Sequence, residues 1–161
     1  MFEQTKDALS PEGRELAEQA KAKHEAIPLE QLAKSFVHGD IIKSNVIVGD
    51  DGELYVIDFA CANTYPKVQE IAVMAANLMF DEKQAIGSSL KERVAKVLEH
   101  YITAGGELNE ADKEYTLDYA IAGAAMEYMG SVHERLKGDE SEEIDYWERQ
   151  GLISLQEALS R

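Results

Sequence analysis

The stretch SFVHGDIIKSNVIVGDDGELYVIDF, Ser35 to Phe59, contains two separated acids, Asp40 and Asp58, with Asn45 between them. Transfer of a phosphoryl group from a nucleotide asks for one group that orients the attacking hydroxyl and accepts its proton. It also needs ligands for the metal that neutralises the phosphates. Magnesium prefers oxygen ligands, and one or two protein groups suffice because water and phosphate complete its octahedron. Asp40, Asn45 and Asp58 are the right chemical types for these tasks. The other acids of the stretch, Asp50 and Asp51, fall in GDDGE between two β-branched runs. That is hairpin-turn chemistry, so these two are read as turn residues.

The spacing says how the three would meet. An Asp followed five residues later by Asn can curl as a loop with both at one mouth. Val46 to Val48 and Leu54 to Ile57 then form a hairpin, returning the chain so that Asp58 ends the second strand beside Asn45 at the start of the first. Upstream, Ser10, Pro11 and Glu12 read as a cap, a first-turn proline and a first-turn acid of a helix running to about Ala26. Its apolar stripe is almost only Leu16, Ala17 and Ala20, which predicts a helix that is peripheral or leans on something outside the chain.

After Pro66 the period is helical. Ile71, Met74, Ala75, Leu78 and Met79 share one face, and so do Ile86, Leu90, Val94, Val97, Leu98, Tyr101 and Ile102, stopped by Gly105 and Gly106. Asn109 caps a third helix whose buried side is read as Tyr115, Tyr119, Ala122, Met126, Met129, His133 and Leu136. The small residues Ala120 and Ala122 to Ala125 would let a neighbouring backbone approach it. A last helix carries Ile144, Trp147, Leu152, Leu155 and Leu159, with a bend expected at Gly151. The acids Asp139, Glu140, Glu142, Glu143 and Asp145 at its start suit the positive end of the helix dipole.

The 161 residues are 45% hydrophobic and 29% charged, a globular composition that suits a single domain over 1–161. Within it, 1–34 is the helix and lead-in, 35–65 the loop and hairpin, and 66–161 a helical subdomain. The longest apolar stretch, Ile71 to Phe80, is broken by Asn77 and falls short of the roughly 20 residues of a bilayer span. No signal-peptide pattern opens the chain, and a lone Cys61 permits no intramolecular disulfide, so the expected location is cytoplasmic. A net charge of −15, from 31 acids against 16 bases, would repel a phosphate backbone and argues against nucleic acid. The same field would draw in a cationic small molecule, although solubility is its plainer reading.

His38, Gly39, Asp40 and Asn45 match HGDxxxxN, and Ile57, Asp58 and Phe59 match the IDF that follows it. In this the chain resembles the catalytic core of the aminoglycoside phosphotransferase and choline kinase superfamily, small-molecule relatives of the protein kinases. The resemblance implies a mainly helical α+β fold, a kinase-like carboxy-terminal lobe with a catalytic loop and small hairpin on four or five helices. It implies Asp40 as catalytic base, Asn45 and Asp58 as magnesium ligands, ATP or another nucleoside triphosphate as donor, and a small-molecule hydroxyl as acceptor. His38 and Gly39 would brace the loop, and Glu70 stands near where the family has a structural Asp. Cys61 is expected to be buried as a small hydrophobe. Lys43 either reaches a phosphate or is solvated. Glu114, Asp118 and Glu127 either meet a cationic acceptor or form a solvated helix side.

The family's other lobe has about five strands, a helix and the loop that grips the nucleotide, which needs roughly 60 residues or more. Residues 1–37 leave no room for it before His38. The expectation is therefore a carboxy-terminal lobe, inactive unless the nucleotide-gripping lobe is supplied, with an exposed face that binds that lobe or associates with itself. The alternatives are a stand-alone binding or scaffold module and a fragment of an atypical protein kinase.

Overall fold

The computed structural model describes residues 1–81 and 89–159, so Ile86 lies outside the described residues. The chain runs through helices α1 (Phe2–Thr5) and α2 (Pro11–Glu25), strands β1 (Lys34–Val37), β2 (Val46–Val48), β3 (Leu54–Val56) and β4 (Asn63–Pro66), and helix α3 (Val68–Val73). It continues into a π turn, Met74–Leu78, and then helices α4 (Leu90–Thr103), α5 (Glu110–Leu136) and α6 (Glu142–Leu159). This is the expected mainly helical α+β architecture. No helix of the described residues is long and apolar enough to cross a membrane.

Helices α2, α4 and α5 start where the sequence supplies caps. The Ser10 hydroxyl accepts from the Gly13 N–H at 3.0 Å, and Ser89 with Glu92 and Asn109 with Asp112 form reciprocal capping boxes. Each relieves first-turn N–H groups that have no partner inside the helix. The Asp112 carboxylate, fully buried, also accepts the Ala33 N–H at 2.9 Å. The start of α5 thereby holds the lead into β1.

α5 is the centre of the helical body, and its buried side differs from the one its apolar spacing suggested. Ala120, Ile121, Ala124, Ala125, Tyr128, Met129 and Val132 face the core, whereas Met126 and Leu136 are exposed and Tyr115 packs in a small cluster with Ile27, Leu32 and Val68. Close approach decides the side. A Cβ on Gly151 would lie 2.6 Å from the Tyr128 amide nitrogen and 2.8 Å from the Ala124 carbonyl, so α6 and α5 pack backbone to backbone there. Gly151 is thus a contact within an unbroken helix, where a bend was expected. Gly13 of α2 makes room for the Tyr128 ring, whose hydroxyl and edge a Cβ there would meet. α2 is accordingly not peripheral: Leu16, Ala17 and Ala20 are buried in the main core. Their small size is what lets α2 reach α5.

The π turn ends a helix whose last carbonyls need partners from elsewhere. The Arg93 Nε donates to the Ala75 carbonyl at 2.9 Å, and the Gln150 Nε2 to the Ala76 carbonyl at 3.0 Å. Arg93, 2% exposed, also donates to Glu157 and Ser154 at 3.1 Å each and stacks on Phe80.

Two antiparallel two-stranded sheets sit outside this body. The β2–β3 hairpin is the expected one, with Val46 opposite Val56 and Val48 opposite Leu54. The second was not anticipated: β1 pairs with β4, setting Val37 opposite Asn63 and Lys34 opposite Pro66. Asn63–Pro66 is too short to show a strand period and ends in proline, so only pairing with β1 defines it.

Candidate active site

The loop after β1 is fixed by hydrogen bonds at His38, Gly39, Asp40 and Asn45. His38 is buried, its Nδ1 accepts the Asp40 N–H at 3.2 Å, and its Nε2 lies 2.9 Å from the Ile57 carbonyl. An amide can only donate, so Nδ1 is the bare nitrogen and Nε2 carries the hydrogen that Ile57 accepts. One imidazole thus ties the HGD turn to the end of β3, with Phe59 against its ring at 4.6 Å.

Gly39 has φ +83°, and a Cβ there would lie 3.0 Å from the Cys61 carbonyl oxygen. Its N–H donates to Glu70 at 3.0 Å. A residue with a side chain would be strained in this backbone and crowd its neighbour. Glu70 braces the loop from α3, and its other carboxylate oxygen is buried without a hydrogen-bond partner among the described residues.

Asn45 is buried in the 3-10 turn Lys43–Asn45, and its Nδ2 donates to both the main-chain and the side-chain oxygen of Asp40, at 2.9 Å each. Both amide hydrogens are spent on Asp40. The Asn45 Oδ1 is left as an acceptor with no partner among the described residues. The Asn45 carbonyl accepts the Ile57 N–H at 3.0 Å, so the hairpin does return the chain to Asn45 just before Asp58.

Asp58 is the one non-glycine at positive φ among the described residues, at φ 63° and ψ 72°. The left-handed region costs an ordinary residue roughly 1–2 kcal/mol. Asp tolerates it because its own carboxylate accepts a nearby N–H, here Ala60 at 3.2 Å.

The candidate metal donors of this segment, Asn45 and Asp58, offer amide and carboxylate oxygens. Among the described residues no three His, Cys, Asp or Glu cluster as a metal cage. A sparse oxygen set with an unspent amide oxygen fits magnesium, which keeps waters and phosphate oxygens, and does not fit a structural zinc site.

Asp40 also lines an open cleft of about 390 Å³ together with Met126, Glu127, Glu143 and Trp147. Burial pushes the Glu127 carboxyl above its ordinary value and the Asp40 charge adds to this, while a hydrogen bond from Asn77 at 3.3 Å pulls the other way. Gln150 donates to the Asn77 Oδ1, which directs the Asn77 amide at Glu127. The Trp147 Nε1 lies 3.4 Å from Glu143.

Some residues stand elsewhere than expected, and others take one of the two places open to them. Cys61 is exposed: its turn faces outward and only its carbonyl backs onto Gly39. Lys43 is exposed, and its ammonium donates to the Phe80 carbonyl just past the π turn. Asp118 pairs with Lys23 at 2.8 Å, Glu114 is exposed, and only Glu127 of the three acids reaches the cleft. In the acidic start of α6, Asp145 pairs with Arg135 at 2.7 Å, whereas Glu143 lines the cleft. Asn77, Gln150, Glu143 and Trp147 were not anticipated at the site. The one sequence signal was an asparagine inside the apolar run Ile71 to Phe80.

No curated protein and no solved structure matches the chain. A family model described as the phosphotransferase enzyme family matches residues 2–115. The match takes in the whole loop and hairpin, while Glu127, Glu143 and Trp147 lie beyond it. With most of its length matched and HGDxxxxN folded around Asp40, the chain belongs to the phosphotransferase enzyme family.

Proposed function

We propose that the chain provides the acceptor and metal half of a kinase that moves a phosphoryl group from ATP to the hydroxyl of a small cationic molecule. One observation carries this: Asp40 belongs to two assemblies at once. It is held by Asn45 in the loop, and it lines the cleft with Glu127, Glu143 and Trp147.

An acceptor hydroxyl in the cleft would face the Asp40 carboxylate, which takes its proton as the oxygen forms its bond to the γ-phosphorus and the bond to the nucleoside diphosphate breaks. Asn45 and His38 hold Asp40 in place for this, through its carboxylate and its N–H respectively. Glu127 and Glu143 would attract an ammonium group, and the Trp147 ring would add a cation–π face. Magnesium, held by Asn45 Oδ1 and the Asp58 carboxylate, would neutralise phosphate charge.

The nucleotide-gripping lobe would sit on the β side, where Phe36, Val48, Leu54 and Phe59 are exposed. That same surface favours a second reading, a binding or scaffold module. Magnesium-dependent transfer from ATP to a panel of amino alcohols, measured with a nucleotide-gripping lobe joined to the chain and compared between that protein and its Asp40→Ala variant, separates the two. Equal turnover in both would sink the kinase reading. A partner captured equally by both proteins, with no turnover in either, would favour the module.

A further inference from the structure

A second cleft, of about 610 Å³, lies between α1, α2 and α5. It is lined by Phe2, Ala17, Ala20, Ala122, Gly123 and Met129, with Lys21 and His24 among its few polar groups. Met126 lines both this cleft and the one that holds Asp40, and the residue is 50% exposed. The two therefore meet along one face of α5, where residues three and four apart are neighbours. On either side of Met126 along that face stand Gly123 and Gly130, and a Cβ on either would touch nothing within 4 Å. The floor is open where side chains would otherwise divide it.

Polarity changes from one end of this trough to the other. Around Asp40 the walls are acidic, with Glu127 and Glu143, and Trp147 adds an aromatic face. Past Met126 they are apolar, and the space is within the roughly 300–1,000 Å³ of small-molecule sites. We infer that the acceptor is an amphipathic amino alcohol, its hydroxyl and ammonium beside Asp40 and its alkyl tail across Met126 in the second cleft. This rests on the reading of the Asp40 cleft as the acceptor site. It adds the substrate's apolar part and the residues that select it. Gly123 and Ala122 set the space for the tail, and Glu127 holds the head.

The test is binding by the intact chain, measured by calorimetry and by the emission of Trp147, the chain's one tryptophan. The probes are N-methyl-, N-butyl- and N-octylethanolamine, with 1-octanol as a control. Affinity should climb along the amine series, by up to about fourfold per methylene fully buried. Gly123→Leu should cut the ratio of N-octyl to N-methyl affinity by about tenfold or more, since two buried methylenes already exceed that. Ala122→Leu serves the same purpose if the first variant melts early. Glu127→Gln should weaken all three amines together, and 1-octanol alone should not perturb Trp147. Equal affinity along the series, or a length dependence untouched by both leucine variants, would overturn the inference while leaving the acceptor reading intact. Octanol binding as well as N-octylethanolamine would also overturn it. If no amine bound, or Glu127→Gln changed nothing, the acceptor reading itself would fail, and the inference with it.

Discussion

The helical body and the β segment from Lys34 to Pro66 are built on opposite terms. The body buries polar groups as thoroughly as apolar ones: Asp112 is 0% exposed, Gln150 1% and Arg93 2%. The segment leaves apolar side chains in the open, with Phe36 at 69%, Leu54 at 68% and Val48 at 67%. Its order comes from hydrogen bonds between residues of the loop and hairpin. It is tethered to the body by Ala33 on Asp112, Gly39 on Glu70 and Lys43 on Phe80. Fold stability therefore resides in the helices, while the proposed chemistry stands on a segment with little apolar burial of its own, where local opening costs least.

This contrast can be broken by substitution. The largest loss is expected from Arg93→Ala, which removes the partner of the Ala75 carbonyl, Ser154 and Glu157; breaking a buried pair costs about 3–5 kcal/mol, and the partial exposure of Glu157 sets the lower end of that range. Urea denaturation reads it, and a loss below about 1 kcal/mol would show that the buried network is not what holds the body. Gly151→Val should follow, because its Cβ would meet the Tyr128 and Ala124 backbone. Overpacking of this kind costs about 1–3 kcal/mol.

Glu127→Gln should act in the opposite direction, raising stability at neutral pH by about 0.5–2 kcal/mol, as relief of a strained functional site commonly does. The sign follows from the raised carboxyl. A raised folded value means that the neutral form stabilises the fold below the ordinary carboxylate range, and this contribution is lost as pH rises through the folded value. The variant's advantage should therefore vanish in acid and appear towards neutrality. A variant less stable than the parent at pH 7 would contradict the desolvation argument. The smallest effect is expected from Leu54→Ser in the hairpin, within about 0.5 kcal/mol, the range for exposed positions. A loss comparable with that of Gly151→Val would erase the distinction between the two regions.

The same contrast explains what the sequence made legible. HGDxxxxN, IDF and the GDDGE turn are local patterns, and the contacts among His38, Asp40, Asn45 and Ile57 follow from one short stretch of chain. The caps at Ser10 and Asn109 were legible for the same reason. The buried side of α5 was not, because small and apolar residues occur on both its sides. Tyr115, Met126 and Leu136 make as good a stripe as Ile121, Ala124 and Tyr128 until Gly13 and Gly151 bring neighbouring backbones onto one of them. α2 misled for a related reason: alanine adds little to an apolar stripe, yet Ala17 and Ala20 are fully buried. Glu127 and Trp147 reach Asp40 only through the packing of α5 and α6, and no spacing rule links residues so far apart.

Asp58 shows how narrowly one position can be specified. Its backbone turns through the left-handed region, which glycine, asparagine and aspartate enter at least cost, and of these three only aspartate carries a charge. If its carboxylate also serves a metal, two unrelated demands select the same letter of the alphabet. The demands come apart by substitution: Asp58→Asn keeps the turn and removes the charge, whereas Asp58→Glu keeps the charge and forfeits the turn. Position 58 is then a place where neutral drift has nowhere to go.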